Sequence, residues 1–275
     1  MKTGKSWLPA HVLAWLYALL LLVPLYYLLV SAFKSNDQIF ATPFSLPTSL
    51  SFHNFGHAFD TADLGGAIVS SVLVTAVALI VTVVLAVPAA FAVARSEGRT
   101  GRAVERVFSL GFLVPTFAAL FPTFLLAAAT GLFHTRLFMM IFLPATAMPL
   151  AVVILVQFMR TVPREMEEAA RLDGASTFTL LCRVYAPMCL PGIATVVLLN
   201  FLSFWNEYLY SLVIIGPDPS QRTVQVALPT LRALTGTDYG VLTAGTVLTL
   251  IPVWIVYTVL QKRMQQALVS GAVKM

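Results

Sequence analysis

The sequence predicts an all-α, polytopic membrane protein: six transmembrane helices in a single transmembrane domain over residues 1–275. Three observations carry that expectation. Hydrophobic residues make up 59% of the chain and charged residues only 11%, whereas soluble domains carry about 25% charged residues. The mean hydropathy is +0.87. Six stretches stay apolar over the ~20 residues that a bilayer core demands, at about 11–33, 67–94, 107–130, 137–159, 190–215 and 240–260. Lys and Arg then orient them. With both termini cytosolic, thirteen of the seventeen basic residues fall inside, leaving only Lys34, Arg136, Arg222 and Arg232 outside, a strong positive-inside bias. The net charge of +5 is explained by this topology. The basic residues form no patch, so nucleic acid is not an expected partner.

In the first segment, Lys2 and Lys5 precede the apolar run, as in a signal peptide. That run exceeds a usual signal core, and Phe33-Lys34-Ser35 makes a poor cleavage site, so a retained helix is expected. The Lys34–Gly66 loop is made irregular by Pro43 and Pro47, and its Phe52, Phe55 and Phe59 suggest a short helix lying in the membrane interface. His53 and His57 sit four apart, but nothing nearby completes a four-coordinate metal site.

Segments two to four are rich in Ala, Val and Leu. Pro88, Pro115, Pro122, Pro144 and Pro149 lie in or near them, where neighbouring helices re-satisfy freed carbonyls. Ala86, Ala90 and Ala94 form a small-residue stripe suited to close helix packing. Thr116, Thr123 and Thr130 share a face; interhelical hydrogen bonding and the lining of a polar path both fit them.

The inner loop 160–189 is expected to hold two short helices. Pro163 suits the first turn, and Glu165, Glu167 and Glu168 suit the positive end of the dipole. Met166, Ala169 and Ala170 give one small apolar face, while Glu167 and Arg171 pair at i, i+4. Asp173-Gly174 stops this helix. Ser176 caps the next, whose stripe of Phe178, Leu181, Cys182 and Tyr185 is expected to end at Pro187.

In the fifth segment Asn200, Ser203, Glu207 and Ser211 recur at helical spacing, with Asn206 and Tyr210 alongside. A carboxylate within the membrane costs a few kcal/mol and must face protein or water. A structural hydrogen bond between helices and a place on a translocation path are both open to Glu207. Beyond it, Gly216-Pro217-Asp218-Pro219-Ser220 opens the last outer loop.

No enzyme chemistry is expected. His11, His53, His57 and His134 are scattered, and no metal or catalytic set emerges. Cys182 and Cys189 flank the inner loop, a reducing location that predicts free thiols. Gly4-Lys5-Ser6 has the ending of a phosphate-binding loop, yet the three residues before it supply neither the earlier glycine nor a strand. An ATPase driving this chain would be another polypeptide.

The order Glu168-Ala169-Ala170, three residues, Gly174, nine residues and Val184-Tyr185-Ala186-Pro187 resembles the EAA loop of ABC importer permeases, E-A-A, three residues, G, nine residues, I-x-L-P. Val replaces Ile and Ala replaces Leu. Asp173-Gly174-Ala175 is similar to the spelling of the carbohydrate-uptake branch, and Ser270-Gly-Ala-Val-Lys274 to its G-A-V-K-G terminus, with Met275 in place of the final Gly. A W-N-E stretch like Trp205-Asn206-Glu207 also recurs there. The resemblance implies a type I ABC importer permease architecture in the bacterial inner membrane. It implies half of a translocation path for a sugar or sugar-like solute, worked by alternating access. It assigns ATPase coupling to Glu168, Ala169, Ala170, Asp173, Gly174, Ala175 and Pro187, and lends Asn200, Ser203, Asn206 and Glu207 to the path. The implied partners are a homologous second permease, two ATPase subunits that use ATP and Mg, an extracytoplasmic solute-binding protein facing the last outer loop, and membrane lipid. This chain itself would bind no cofactor. The alternative is an ion- or proton-coupled secondary carrier; such carriers usually show paired intramembrane charges or internal repeats, and neither is visible.

Overall fold

The structure is a computed structural model that describes residues 7–96, 98–216, 218–233 and 236–272. Its helices follow in order: α1 Trp7–Ser31, α2 Asn36–Ala41, α3 His53–Ala62, α4 Leu64–Arg95, α5 Arg99–Leu110, α6 Thr116–Ala129, α7 Arg136–Arg160, α8 Arg164–Leu172, α9 Thr177–Leu180, α10 Ala186–Met188, α11 Leu190–Trp205, α12 Val224–Ala227 and α13 Tyr239–Ala272. Two-residue strands, β1 Arg232–Ala233 and β2 Gly236–Thr237, pair antiparallel before α13. α1, α4, α7 and α13 are each long and apolar enough to cross a membrane; counting each of two bent helix pairs as one span raises the number to six. Pro24, Pro88, Pro144, Pro149 and Pro252 lie inside the long helices without ending them.

The expected third segment, 107–130, is not one helix. α5 and the short 3₁₀ turn Gly111–Leu113 meet α6 at a bend of 96°. Val114 and Pro115 are extended, at φ −79°, ψ 110° and φ −71°, ψ 124°. A residue before proline is pushed out of the helical region, and proline has no N–H to continue the ladder. The chain also passes close to α7: a Cβ at Gly111 would collide with the ring of Pro149. The sixth segment runs on as helix to Ala272, beyond its expected end at 260.

The described residues divide into two compact units, one drawn from 1–66 and 227–251, the other from 67–226 and 252–275. In the first, Lys34 is buried, and its ammonium donates to the carbonyls of Thr42 (2.9 Å) and Pro43 (3.2 Å). Asn54 donates to the carbonyls of Ala32 and Lys34. Asn36 joins α2 to the hairpin, donating to the Thr237 carbonyl and accepting from the Tyr239 N–H. Phe52 and Phe55 pack on Phe33, although Phe52 stays largely exposed.

The second unit holds two apolar cores. In one, the stripe residues Ala86 and Ala90 are fully buried against Val152, Leu155 and Met159 of α7 and Tyr185. The absence of larger side chains lets the helices approach closely. The other gathers Val74 and Ala78 with Phe138, Leu143, Tyr210 and Ile214. Thr123 and Thr130 donate to the carbonyls of Ala119 and Leu126 in their own helix. Short hydroxyls reach the i−4 carbonyl more readily than a neighbouring helix.

Candidate functional site

The loop 160–189 forms the two expected helices. Pro163 is the N-cap of α8 rather than its first residue, and α8 ends at Leu172 with Asp173 as C-cap, followed by Gly174, whose φ of +80° glycine adopts without strain. Ser176 caps the second helix, its hydroxyl accepting from the Thr179 N–H at 3.2 Å. Pro187 does not end this helix. With no N–H at 187, the ladder widens into a π turn over Leu181–Tyr185, Ala186 N–H reaching the Leu181 carbonyl, and the helix runs on to Met188. The turn to α11 comes at Cys189, with a bend of 76°.

The expected pair of Glu167 and Arg171 is present, at 2.8 Å, but Glu167 does more. Its second oxygen accepts from the Tyr185 hydroxyl at 2.7 Å and lies 3.3 Å from Nε of Arg95. Arg95 stacks on the Tyr185 ring, 4.5 Å from its centre, and donates to the Val162 carbonyl at 2.9 Å. Burial pushes the Glu167 carboxyl up, but the hydrogen bonds from Tyr185 and Arg171 and the charges of Arg95 and Arg171 outweigh it, holding the group below the usual range. Arg95 was missed by sequence reasoning, and Tyr185 was read there only as part of an apolar stripe. A usable signal was present: a tyrosine in such a stripe carries a polar tip that needs a partner.

The loop also exposes large apolar side chains among its charged ones. Leu172 is 90% exposed, Phe178 75% and Met166 47%, while Ala170 turns inward. Of the expected stripe, Tyr185 is buried and Leu181 half-buried; Phe178 and Cys182 point out. Glu168 and Glu167 line a small cavity of about 140 Å³ with Arg95, Arg164 and Arg171.

The polar residues of the fifth segment separate. α11 stops at Trp205, so Glu207 is not on a continuous helix. Its carboxylate instead caps the helical piece that follows, accepting from the backbone N–H of Tyr210 (2.7 Å) and Ser211 (2.8 Å) and from the Ser211 hydroxyl (2.6 Å). Asn200 is buried and bonds the Val196 carbonyl of its own helix; Asn206 bonds the Leu202 carbonyl at the helix end. Ser203 and Glu207 line a cavity of about 620 Å³ with Thr116, Thr146, Phe142 and Tyr210. The break at Pro115 and the break at Glu207 both open on it. Tyr210 closes one wall, donating to the Thr116 carbonyl at 2.7 Å.

Comparison with known proteins places this architecture. Residues 83–270 match the family described as the binding-protein-dependent transport system inner membrane component. The chain belongs to that family. The permease is 34% identical to the diacetylchitobiose uptake system permease protein NgcG of Streptomyces coelicolor, over 95% of this chain and 87% of that one. It is 26% identical to the melibiose/raffinose/stachyose import permease protein MelC of Bacillus subtilis, over 92% and 91%. In fold it is similar to a chain of a bacterial ABC transporter involved in the import of the acidic polysaccharide alginate, with a TM-score of 0.80, 24% identity, and coverage of 95% and 99%. The permease is thus a multi-pass protein of the bacterial cell membrane with the ABC importer permease fold. The resemblance seen in the loop holds for the chain as a whole, and membership of a binding-protein-dependent family sets aside the ion-coupled carrier.

Proposed function

We propose that this permease forms half of the path for a neutral sugar, and that ATPase subunits drive it by gripping the loop 160–189. The observation that carries the reading is the loop itself: two short helices, stapled to the bundle by Glu167, present Leu172 and Phe178 almost bare. Large apolar groups in a polar run of chain mark a surface that a partner covers. Glu168, Ala169, Asp173 and Ala175 share the exposed or half-exposed side of the knob, and Gly174 sets the angle between its helices. Both termini then lie in the cytosol with the loop, a placement that the distribution of Lys and Arg supports. The assembly comprises a homologous second permease, two ATPase subunits that bind ATP and Mg, and an extracytoplasmic binding protein. On this reading nucleotide and Mg binding and hydrolysis belong to the ATPase subunits rather than to this chain.

The sugar assignment is supported by two relatives named for diacetylchitobiose and for melibiose, raffinose and stachyose. The cavity chemistry agrees. Its lining includes one carboxylate, several hydroxyls, three aromatic rings and no Lys or Arg. Such walls accept from sugar hydroxyls and stack against a pyranose face, but repel a phosphate or uronate. Ser203 and Glu207 are the path residues on this reading; Asn200 and Asn206 support the helix around them.

Leu172→Asp with Phe178→Asp tests the docking. The pair is expected to leave the permease in the membrane but to abolish co-purification of the ATPase subunits and uptake. Normal retention of the ATPases and normal uptake would exclude the loop as the coupling element. Screening the partner binding protein against neutral and acidic sugars by calorimetry identifies the solute.

A further inference from the structure

Arg95 lies at the end of α4, far in sequence from the loop, yet it takes part in the loop's main attachment. We propose that the Arg95–Tyr185–Glu167 clasp is the tie through which the loop moves α4, with all three acting as positioning residues for transport. The inference rests on the coupling role proposed above.

α8 has no fully buried residue, and only Ala170 packs into the core beneath it. Glu167 adds a polar attachment to the bundle. That carboxylate accepts the Tyr185 hydroxyl at 2.7 Å and faces Arg95 at 3.3 Å. Tyr185 is fully buried, its ring held edge-on by Phe91 of α4 at 4.8 Å and covered by Arg95 of the same helix at 4.5 Å. The clasp thus joins α8, the π turn and the last turn of α4. Arg95 extends it to the end of α7 through the carbonyls of Val162 (2.9 Å) and Met159 (3.5 Å). Charge-assisted bonds among half-shielded groups hold a geometry more stiffly than packing of an alanine face. A load applied to the knob accordingly has a direct route to α4 through this carboxylate. The guanidinium plane is required on this account, because it stacks and donates in fixed directions where a lysine ammonium does not.

The test uses the complete importer in two single-cysteine forms. One retains Cys182, exposed on the loop, with Cys189→Ala; the other carries Ser96→Cys just past α4, with Cys182→Ser and Cys189→Ala. Maleimide labelling rates are compared between nucleotide-free and ATP–vanadate-trapped complexes. With the clasp intact, both sites are expected to change rate on trapping. In Glu167→Gln the change at Cys182 persists and the change at position 96 is lost. Tyr185→Phe keeps the ring against Phe91 and Arg95 but removes the hydroxyl bond, so a reduced change at position 96 is expected. A change at position 96 of parental size in Glu167→Gln would overturn the proposal. If that variant does not assemble, a parental response in Tyr185→Phe overturns it instead. No change at Cys182 in the parent would overturn the coupling role and this tie with it, an outcome distinct from loss at position 96 alone.

Discussion

Replacing Glu207 separates a helix cap from a bystander. Both carboxylate oxygens are occupied: one by the Tyr210 N–H, the other by the Ser211 N–H and hydroxyl. Glu207→Gln keeps the shape but offers one acceptor oxygen, so its amide must face one of these donors. The substitution is therefore not silent, as a single hydrogen bond between helices would have made it. One capping bond lost costs about 1 kcal/mol. Glu207→Leu strands both backbone donors. At about 1–3 kcal/mol for each unsatisfied group, partly relieved by water in the adjoining cavity, a loss of about 2–4 kcal/mol follows. Every 1.4 kcal/mol is a factor of about ten in the folded fraction. The assay is recovery of monodisperse complex after a graded heat challenge, together with uptake of the sugar found in the binding-protein screen. The expected order of resistance is parent, then Gln, then Leu. Uptake per surviving complex is also expected to fall in both, because Glu207 faces the cavity. Undiminished heat resistance and uptake in Glu207→Leu would refute both the cap and the path role.

Three further outcomes follow from the geometry. Gly174→Pro, or Glu168→Lys with Ala169→Asp, should abolish uptake and ATPase co-purification while membrane insertion measured by immunoblot is unchanged, since Gly174 holds φ +80° and proline is confined near −65°. Because the Glu167 carboxyl is held below its unfolded value, its stabilisation is fully present above the unfolded pKa and lost as pH falls through the folded one. Proteolytic resistance of 164–172 should thus be flat from about pH 8 to 5 and decline only in stronger acid, and Glu167→Gln should remove that decline. Asn36→Ala deletes bonds to Thr237 and Tyr239, so a loss of about 1–2 kcal/mol is expected, read as a lower midpoint of heat-induced aggregation.

The membrane class, the number of apolar segments and the two-helix loop with its glycine were legible in the residues alone. These features depend on composition, on run length and on local spacing, which survive without knowledge of what packs on what. The Glu167–Arg171 pair and the Ser176 cap were legible for the same reason, since each spans only one turn. Local pattern failed where a break depended on packing. The chain turns by 96° near Pro115, where Gly111 lets it lie against Pro149 of α7, a contact 38 residues away. Helical spacing in the fifth segment suggested an unbroken polar stripe; instead, the carboxylate of Glu207 ends that regularity by capping the next piece. Nor does spacing bring Arg95 to Tyr185 and Glu167, which meet only because α4 packs on the π turn across the small side chains of Ala86 and Ala90. Composition and period determined what crosses the membrane and what can be gripped. Only the tertiary structure decided which charges hold the grip, because a partner for a buried charge is chosen by proximity in space.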